Sequence, residues 1–159
     1  MLRPIPLIIT LSCLLAACSG LKTYRSDYQK NLFITTQAEA RGWLSGVDAS
    51  LDIYRMQDNC DVDYQGTVNL GDSLVEVGVP AGQPAYLVFR FESSTFLSNS
   101  HSSMGYDVAL YPEYGQVYDV NVTYRDNIYN VEVAERPRGG TEGQQLAIGM
   151  IERDCSSDT

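Results

Sequence analysis

Short segments in which apolar and polar residues alternate recur from Val47 to Val133, and this period of two most constrains the fold. Because successive side chains of a β-strand point to opposite faces, such alternation is typical of strands with one buried face. Turn residues separate the segments at intervals of roughly 8 to 12 residues, the spacing of sandwiches and small barrels. The sequence therefore predicts an all-β fold. We expect a small antiparallel β-sandwich, immunoglobulin-like or transthyretin-like, of about seven strands.

The clearest element is a hairpin formed by Tyr118–Tyr124 and Tyr129–Val133, because Asp126-Asn127 between them tolerates the left-handed backbone of a tight turn. Gln37–Trp43 is predicted to form a short helical turn ended by Gly46. The other predicted strands are 32–36, 47–54, 62–70, 73–79, 87–92 and 146–151. In the 87–92 strand, the apolar residues Leu87, Phe89 and Phe91 are predicted to share one face, with Val88, Arg90 and Glu92 on the other.

Two segments interrupt the alternation and are predicted to be loops. Ser93–Ser103 is rich in serine and asparagine and contains Phe96, Leu97 and His101. The sequence of a surface loop can change without disrupting the sandwich fold, and loops therefore often carry binding residues. We interpret these three residues as part of a candidate binding surface. Arg136–Gln145, rich in glycine and charge, is predicted to be a second, mobile loop.

The N-terminal segment, residues 1–17, has the features of a signal peptide. Arg3 precedes an apolar run from Ile5 to Leu15, which is too short to span a bilayer because a spanning helix needs about 20 residues. The run ends in Leu15-Ala16-Ala17-Cys18, which resembles the lipobox of bacterial lipoproteins. The alternative is an ordinary secretory signal that carries a cysteine near its end.

The lipobox resemblance implies that Cys18 is acylated and becomes the new N-terminus. The next residue is Ser19. An aspartate at this position would resemble a signal for retention in the inner membrane. The resemblance therefore implies a lipid-anchored protein at the periplasmic face of the outer membrane in a Gram-negative cell. Residues 18–31 then form a lipidated, polar tether, and residues 32–159 form a single domain.

The chain has four cysteines, and the segment assignments leave Cys60 and Cys155 as a pair in an oxidising compartment. We predict a disulfide between them. By chain-entropy arguments, closing a loop of nearly 100 residues contributes roughly 4–5 kcal/mol.

The formal net charge of −9 disfavours a nucleic-acid partner, which needs a basic face, and disfavours binding to anionic lipid through charge. His101 is the only histidine, and nothing in the sequence fixes it beside a serine and a carboxylate. Asp61, Asp63 and Asp72 have the spacing of a calcium loop, but the same residues alternate as a strand, which we favour. We therefore expect no enzyme activity, no cofactor and no metal.

Tyrosines are frequent in the second half of the chain, and Tyr111-Pro112-Glu113-Tyr114-Gly115 is the best candidate for a displayed aromatic patch. Tyrosine offers a large contact area with a polar tip, so Tyr111 and Tyr114 join the candidate binding surface. The alternative is that the tyrosines at strand positions line the edge of the core.

The order Gly78-Val79-Pro80-Ala81-Gly82, Tyr86-Leu87-Val88-Phe89, and Tyr111-Pro112 before Tyr118 resembles small uncharacterised bacterial lipoproteins. The resemblance implies a sandwich and no known activity. We expect a non-catalytic interaction or structural module with an envelope protein partner. The alternatives are a glycan or cell-wall binder, an inhibitor of an envelope hydrolase, a type VI secretion outer-membrane lipoprotein, and an envelope hydrolase.

Overall fold

The computed structural model describes residues 21–38, 45–57, 61–71, 74–95, 100–125 and 128–147, and every element in these ranges is a β-strand. The all-β prediction is therefore confirmed, with nine strands rather than seven. They are β1 (Leu32–Ala38), β2 (Ser45–Met56), β3 (Val62–Asn69), β4 (Leu74–Val77), β5 (Ala85–Thr95), β6 (Ser100–Leu110), β7 (Gln116–Arg125), β8 (Ile128–Pro137) and β9 (Gln144–Gln145).

The strands form two packed sheets, one in the order β4-β1-β7-β8-β9 and the other in the order β3-β2-β5-β6. The expected β-sandwich is thus confirmed. Neighbouring strands are antiparallel except β1 and β7, which run parallel with Leu32 opposite Tyr118. Two neighbouring parallel strands need a long connection between them. Here the chain forms the strands of the other sheet after β1 and before β7.

One hydrophobic core lies between the sheets, because alternate residues of each strand point inward. Phe89 and Phe91 on β5 and Tyr118 on β7 are the largest side chains in it, each 1% exposed. The predicted inward face of β5 is confirmed. The aliphatic core residues around them include Leu32, Ile34, Leu51, Ile53, Leu87, Val120, Val122, Val131 and Val133.

The predicted helical turn at Gln37–Trp43 is wrong where the structure describes it. Gln37 and Ala38 belong to β1 and pair with Thr123 and Tyr124 of β7, and Gly46 lies within β2. Residues 39–44 lie outside the described ranges. Pairing with a distant strand therefore decides the conformation here, over the local preference of the segment.

The predicted loop at Ser93–Ser103 is also wrong at both of its ends. Ser93 pairs with Ser102, and Thr95 with Ser100, so that only residues 96–99 lie outside the described β5–β6 hairpin. A serine-rich composition favours loops. The hydrogen bonds between β5 and β6 join backbone groups, however, so the side-chain composition does not reveal them.

The second predicted loop, Arg136–Gln145, is shorter than expected. Arg136 and Pro137 belong to β8, and Gln144–Gln145 forms β9. The last described strand thus precedes the predicted segment 146–151. Leu146 continues the pairing, with its N–H donating to the Val133 carbonyl at 2.8 Å, and residues 148–151 lie outside the described ranges.

The sandwich has two different ends. At one end the chain crosses between sheets at residues 78–84 and 111–115 and turns at 138–143. We call this the strap end, because the N-terminal segment 21–31, here the strap, also lies there. At the other, the hairpin end, β5 returns to β6 and β7 to β8. Since β6 has 11 residues, the ends are about 33 Å apart.

Candidate functional site: the strap and its groove

The strap begins by adding to the edge of the four-stranded sheet. Thr23 forms a parallel bridge with Thr67 of β3. The Tyr24 N–H donates to the Thr67 carbonyl at 2.9 Å, and the Thr67 N–H donates to the Lys22 carbonyl at 2.7 Å. The described part of the segment that we predicted as a tether is therefore bound to the domain from Lys22 onward. Polar composition alone does not separate a solvated linker from a segment held by backbone hydrogen bonds.

The strap then crosses to the five-stranded sheet. The hydroxyls of Tyr24 and Ser26 both donate to the Gly78 carbonyl, at 2.8 and 2.6 Å. Burial raises the pKa of Tyr24 above its ordinary value, against the lowering effect of the Ser26 hydrogen bond. The Tyr24 hydroxyl thus stays a neutral donor through the physiological range.

Asn31 fastens the end of the strap and is 4% exposed. Its side-chain amide donates to the Val79 carbonyl at 3.0 Å and accepts from the Val79 N–H at 2.9 Å. Its own N–H donates to the Val77 carbonyl, and its carbonyl accepts from the Tyr118 N–H. One asparagine therefore connects the β4 end, the crossing segment and β7.

Two glycines allow the strap to lie this close. At Gly66, with φ +146°, a Cβ atom would lie 2.7 Å from the Cα of Tyr24. At Gly78, a Cβ atom would overlap the carbonyl oxygen of Tyr28. Real Cβ atoms do not make such backbone contacts, so both positions require glycine while the strap is docked.

A groove of about 760 Å³ lies between the strap and the nearby ends of β2, β3 and β5. This volume is in the range of small-molecule sites, roughly 300–1,000 Å³. Arg55 lies on its wall and pairs with Asp63 at 3.0 Å, both side chains half exposed. The other polar and aromatic residues that line the groove are Lys22, Thr23, Tyr24, Arg25, Ser26, Asp27, Tyr28, Tyr54 and Gln65. Such a lining suits a small polar ligand with anionic and hydroxyl groups.

A row of tyrosines continues from this groove across the outer face of the four-stranded sheet. Tyr54 of β2 lies opposite Tyr64 of β3 and Tyr86 of β5, with ring centroids 5.4 and 5.7 Å away. The Tyr86 hydroxyl donates to an Asp107 carboxylate oxygen at 2.7 Å. The row therefore spans β3, β2 and β5, and the Tyr86 hydrogen bond connects it to β6.

Beside this row lies a buried carboxylate. Asp52 is 4% exposed, and its two oxygens accept hydrogen bonds from the Thr67 hydroxyl and from Nε of Arg90. The Asp52 hydrogen bond is the main cause that raises the pKa of Arg90. Because both oxygens are engaged, Asp52 connects β2, β3 and β5 rather than offering a free base.

The described residues of the predicted binding surface do not all lie at one end of the sandwich. Tyr111 and Tyr114 are at the strap end, 58% and 83% exposed. The Tyr111 hydroxyl donates to the Gly82 carbonyl at 2.9 Å, and a Cβ atom on Gly82 would lie 2.9 Å from the Tyr114 ring. His101 pairs with Ser94 near the hairpin end. Phe96 and Leu97 lie outside the described residues.

Cys18, Cys60 and Cys155 likewise lie outside the described residues. The calcium-like spacing coincides with β3, as the strand interpretation expects, and the Gln65 side chain donates to the Asp63 carboxylate at 2.8 Å. In the described ranges, no three or more histidine, cysteine or acidic side chains are grouped to hold a metal. Nor does any helix in those ranges have the length and apolar character to cross a bilayer.

Comparison with known proteins found no matching family model, curated protein or solved structure.

Sequence reasoning missed the strap and its groove. Two signals point to them in hindsight: Gly66 interrupts a strand pattern, and Gly78 precedes a proline turn. An isolated glycine in a strand often marks a place where another backbone approaches closely.

Proposed function

We propose that this chain is a non-catalytic interaction module, anchored by lipid at the periplasmic face of a Gram-negative outer membrane. The observation that carries the proposal is the short distance along the chain between Cys18 and the folded domain. Lys22 is already hydrogen-bonded to β3. An acylated Cys18 would therefore hold the sandwich directly at the membrane, where it meets an envelope protein partner.

Acylation of Cys18 supplies the anchor in this proposal. Each buried CH₂ group contributes about 0.8 kcal/mol, and two acyl chains suffice for stable attachment. The order of charge, apolar run, Leu15-Ala16-Ala17 and Cys18 supports this assignment.

Fractionation of cells that express Cys18→Ser tests the anchor, with Ser19→Ala as the matched control. We expect wild-type protein and Ser19→Ala in the outer-membrane fraction, and Cys18→Ser in the soluble or inner-membrane fraction. Outer-membrane retention of Cys18→Ser would show that the lipobox interpretation is wrong.

We further propose a disulfide between Cys60 and Cys155, supported by their even number in an oxidising compartment. Thiol counting on the unfolded, unreduced mature protein should find no thiol from this pair. Two free thiols would contradict the disulfide.

The partner is identified by crosslinking the lipidated protein in intact cells, followed by mass spectrometry. Capture of one envelope protein in stoichiometric amount supports the interaction module, and a secretion-system component would assign it to that machine. Capture of abundant neighbours alone would count against it.

A second candidate function is glycan or cell-wall binding, and the tyrosine row favours it. Tyr54, Tyr64 and Tyr86 offer aromatic and hydroxyl groups beside a groove of ligand size. Retention on purified cell wall tests this function. Tyr54→Ala should reduce retention at least tenfold and Tyr54→Phe much less, whereas equal retention by all three proteins would exclude the row.

A further inference from the structure

We propose that the strap end of the sandwich rests on the lipid headgroups, so that the hairpin end points away from the membrane. This rests on the proposed acylation of Cys18 and adds a bilayer-contact surface and an orientation. Four features of the described residues support it: the reach of the chain, its direction, the exposed side chains and the local charge.

The chain is too short to let the domain move away from an acylated Cys18. Four residue steps separate Cys18 from Lys22, and an extended chain covers at most about 3.6 Å per residue, or about 14 Å. The carbonyl of Lys22 is held by the Thr67 N–H at 2.7 Å. The edge of β3 is therefore confined to within about 14 Å of the acylated residue, which itself sits at the headgroup level.

The direction of the strap selects which end faces the lipid. Thr23 pairs in parallel with Thr67, so the strap and β3 run the same way. β3 starts at the strap end, with Val62 opposite Met56, and runs toward the hairpin end. Leu21 is accordingly nearer to the strap end than Thr23, and the chain enters the domain from that side.

Among the described residues, exposed apolar side chains concentrate at the same end. Of the eight large hydrophobic residues that are exposed in the described ranges, five lie there: Leu21, Tyr28, Val62, Tyr111 and Tyr114. The other three, Leu74, Met104 and Ile128, lie along the strands or at the hairpin end. Tyrosine is favourable at the membrane–water interface, because its apolar ring contacts lipid while its hydroxyl forms hydrogen bonds with water or headgroups.

The charge of the strap differs from that of the whole chain. Residues 21–31 contain Lys22, Arg25 and Lys30 against Asp27 alone, three cations and one carboxylate. The chain as a whole has a formal charge of −9. The net charge therefore disfavours binding to anionic lipid, while the segment next to the anchor attracts headgroup phosphates. Carboxylates at the same end, Asp61, Asp63 and Glu113 among them, oppose this attraction, so the strap supplies a local cationic contact rather than a basic face.

Tryptophan quenching in vesicles tests this orientation. In a Trp43→Phe background, Tyr114→Trp and Leu21→Trp report on the strap end, and Ile128→Trp, at a position 68% exposed, is the matched control at the hairpin end. The purified lipidated proteins are reconstituted into vesicles of phosphatidylethanolamine and phosphatidylglycerol that contain a lipid with a nitroxide on its headgroup. Circular dichroism verifies that each variant keeps the strand spectrum of the parent.

We expect the nitroxide lipid to reduce emission from Tyr114→Trp and Leu21→Trp at least twofold, and to leave Ile128→Trp nearly unchanged. Equal quenching at the two ends, or stronger quenching at Ile128→Trp, would overturn the orientation while leaving the lipid anchor intact. Proteins that do not float with the vesicles at all would overturn the anchor, and the orientation with it.

Discussion

The two ends of the sandwich are built by different means. At the hairpin end, β7 returns to β8 between Arg125 and Ile128, and β5 returns to β6 between Thr95 and Ser100. At the strap end, connections pass from one sheet to the other, and side chains bond to backbone groups about 50 residues away, as Tyr24 and Asn31 do. Local pairing closes one end of the molecule, and long-range capping closes the other.

This difference predicts that single side chains matter more at the strap end. A hairpin return depends on backbone ladders, which survive the loss of one side chain. A buried side chain that satisfies a distant backbone group has no substitute, because the group it leaves behind is cut off from water.

The largest difference is expected for Asn31→Ala compared with Asn130→Ala. Asn31→Ala leaves the Val79 N–H and carbonyl buried without partners, at about 1–3 kcal/mol for each group, so we expect a loss of roughly 2–6 kcal/mol. The Asn130 side chain, exposed near the hairpin end, donates to the exposed Glu132 carboxylate, and we expect a loss of less than about 0.5 kcal/mol for Asn130→Ala. Urea unfolding of both variants measures the difference, and equal losses would contradict the comparison.

The next largest effect is expected for Gly78→Ala. Its new Cβ atom would overlap the Tyr28 carbonyl, so the strap must shift, with a loss of about 1–3 kcal/mol. Trypsin should then cleave after Lys22, Arg25 and Lys30 at least tenfold faster than in the wild type. Gly105→Ala is the control, because its Cβ atom would meet only Val88 at 3.7 Å. Unchanged cleavage in Gly78→Ala would show that the strap does not depend on this close approach.

Two arginine variants separate an ion pair with a buried carboxylate, Asp52, and a half-exposed arginine, Arg90, from a pair in which both side chains are half exposed. Arg90→Ala leaves Asp52 buried with only the Thr67 hydroxyl, and we expect a loss of about 1–3 kcal/mol. Arg55→Ala at the groove breaks a half-exposed pair with Asp63, worth about 0–1 kcal/mol. Denaturant titration at low and high salt checks both, since salt should reduce the Arg55 effect by a larger fraction than the Arg90 effect. A larger loss for Arg55→Ala would reverse this interpretation.

The smallest expected effect is a dependence of folding stability on pH that arises from Tyr118. Burial, the leading cause, and the hydrogen bond that its hydroxyl donates to Glu135 raise the pKa of Tyr118 to about 12, against the lowering effect of the Glu113 N–H. The pKa of an unfolded tyrosine is about 10, so this stabilisation is present below pH 10 and is lost as the pH rises through 12.

Thermal unfolding of wild type and Tyr118→Phe between pH 8 and pH 11 checks this sign. Wild-type stability should fall more steeply above pH 10 than that of Tyr118→Phe. Parallel curves would show that the Tyr118 hydroxyl does not contribute in this way.

The sequence predicts the fold well where structure is local. The β7–β8 hairpin and the inward face of β5 follow directly from period-two alternation, and both are confirmed. The same alternation places β3 correctly, because a calcium loop cannot alternate in this manner.

The sequence fails where distant segments decide the structure. Gln37 extends β1 because Thr123 of β7 lies beside it, and Ser93 pairs with Ser102 although serine favours loops. The strap shows the same limit, since nothing near Asn31 in the sequence indicates that Val79 is its partner. Of the candidate binding surface, Tyr111 and Tyr114 are displayed together, and His101 lies toward the opposite end.

Amide hydrogen exchange on the mature protein tests most directly whether the strap is part of the fold. The N–H groups of Tyr24 and Thr67 form two backbone hydrogen bonds that attach the strap to β3. We expect both amides to exchange at least about a hundredfold more slowly than unprotected amides, and Gly78→Ala to remove most of this protection. Exchange of the Tyr24 and Thr67 amides at unprotected rates in the wild type would mean that the segment is a free tether after all.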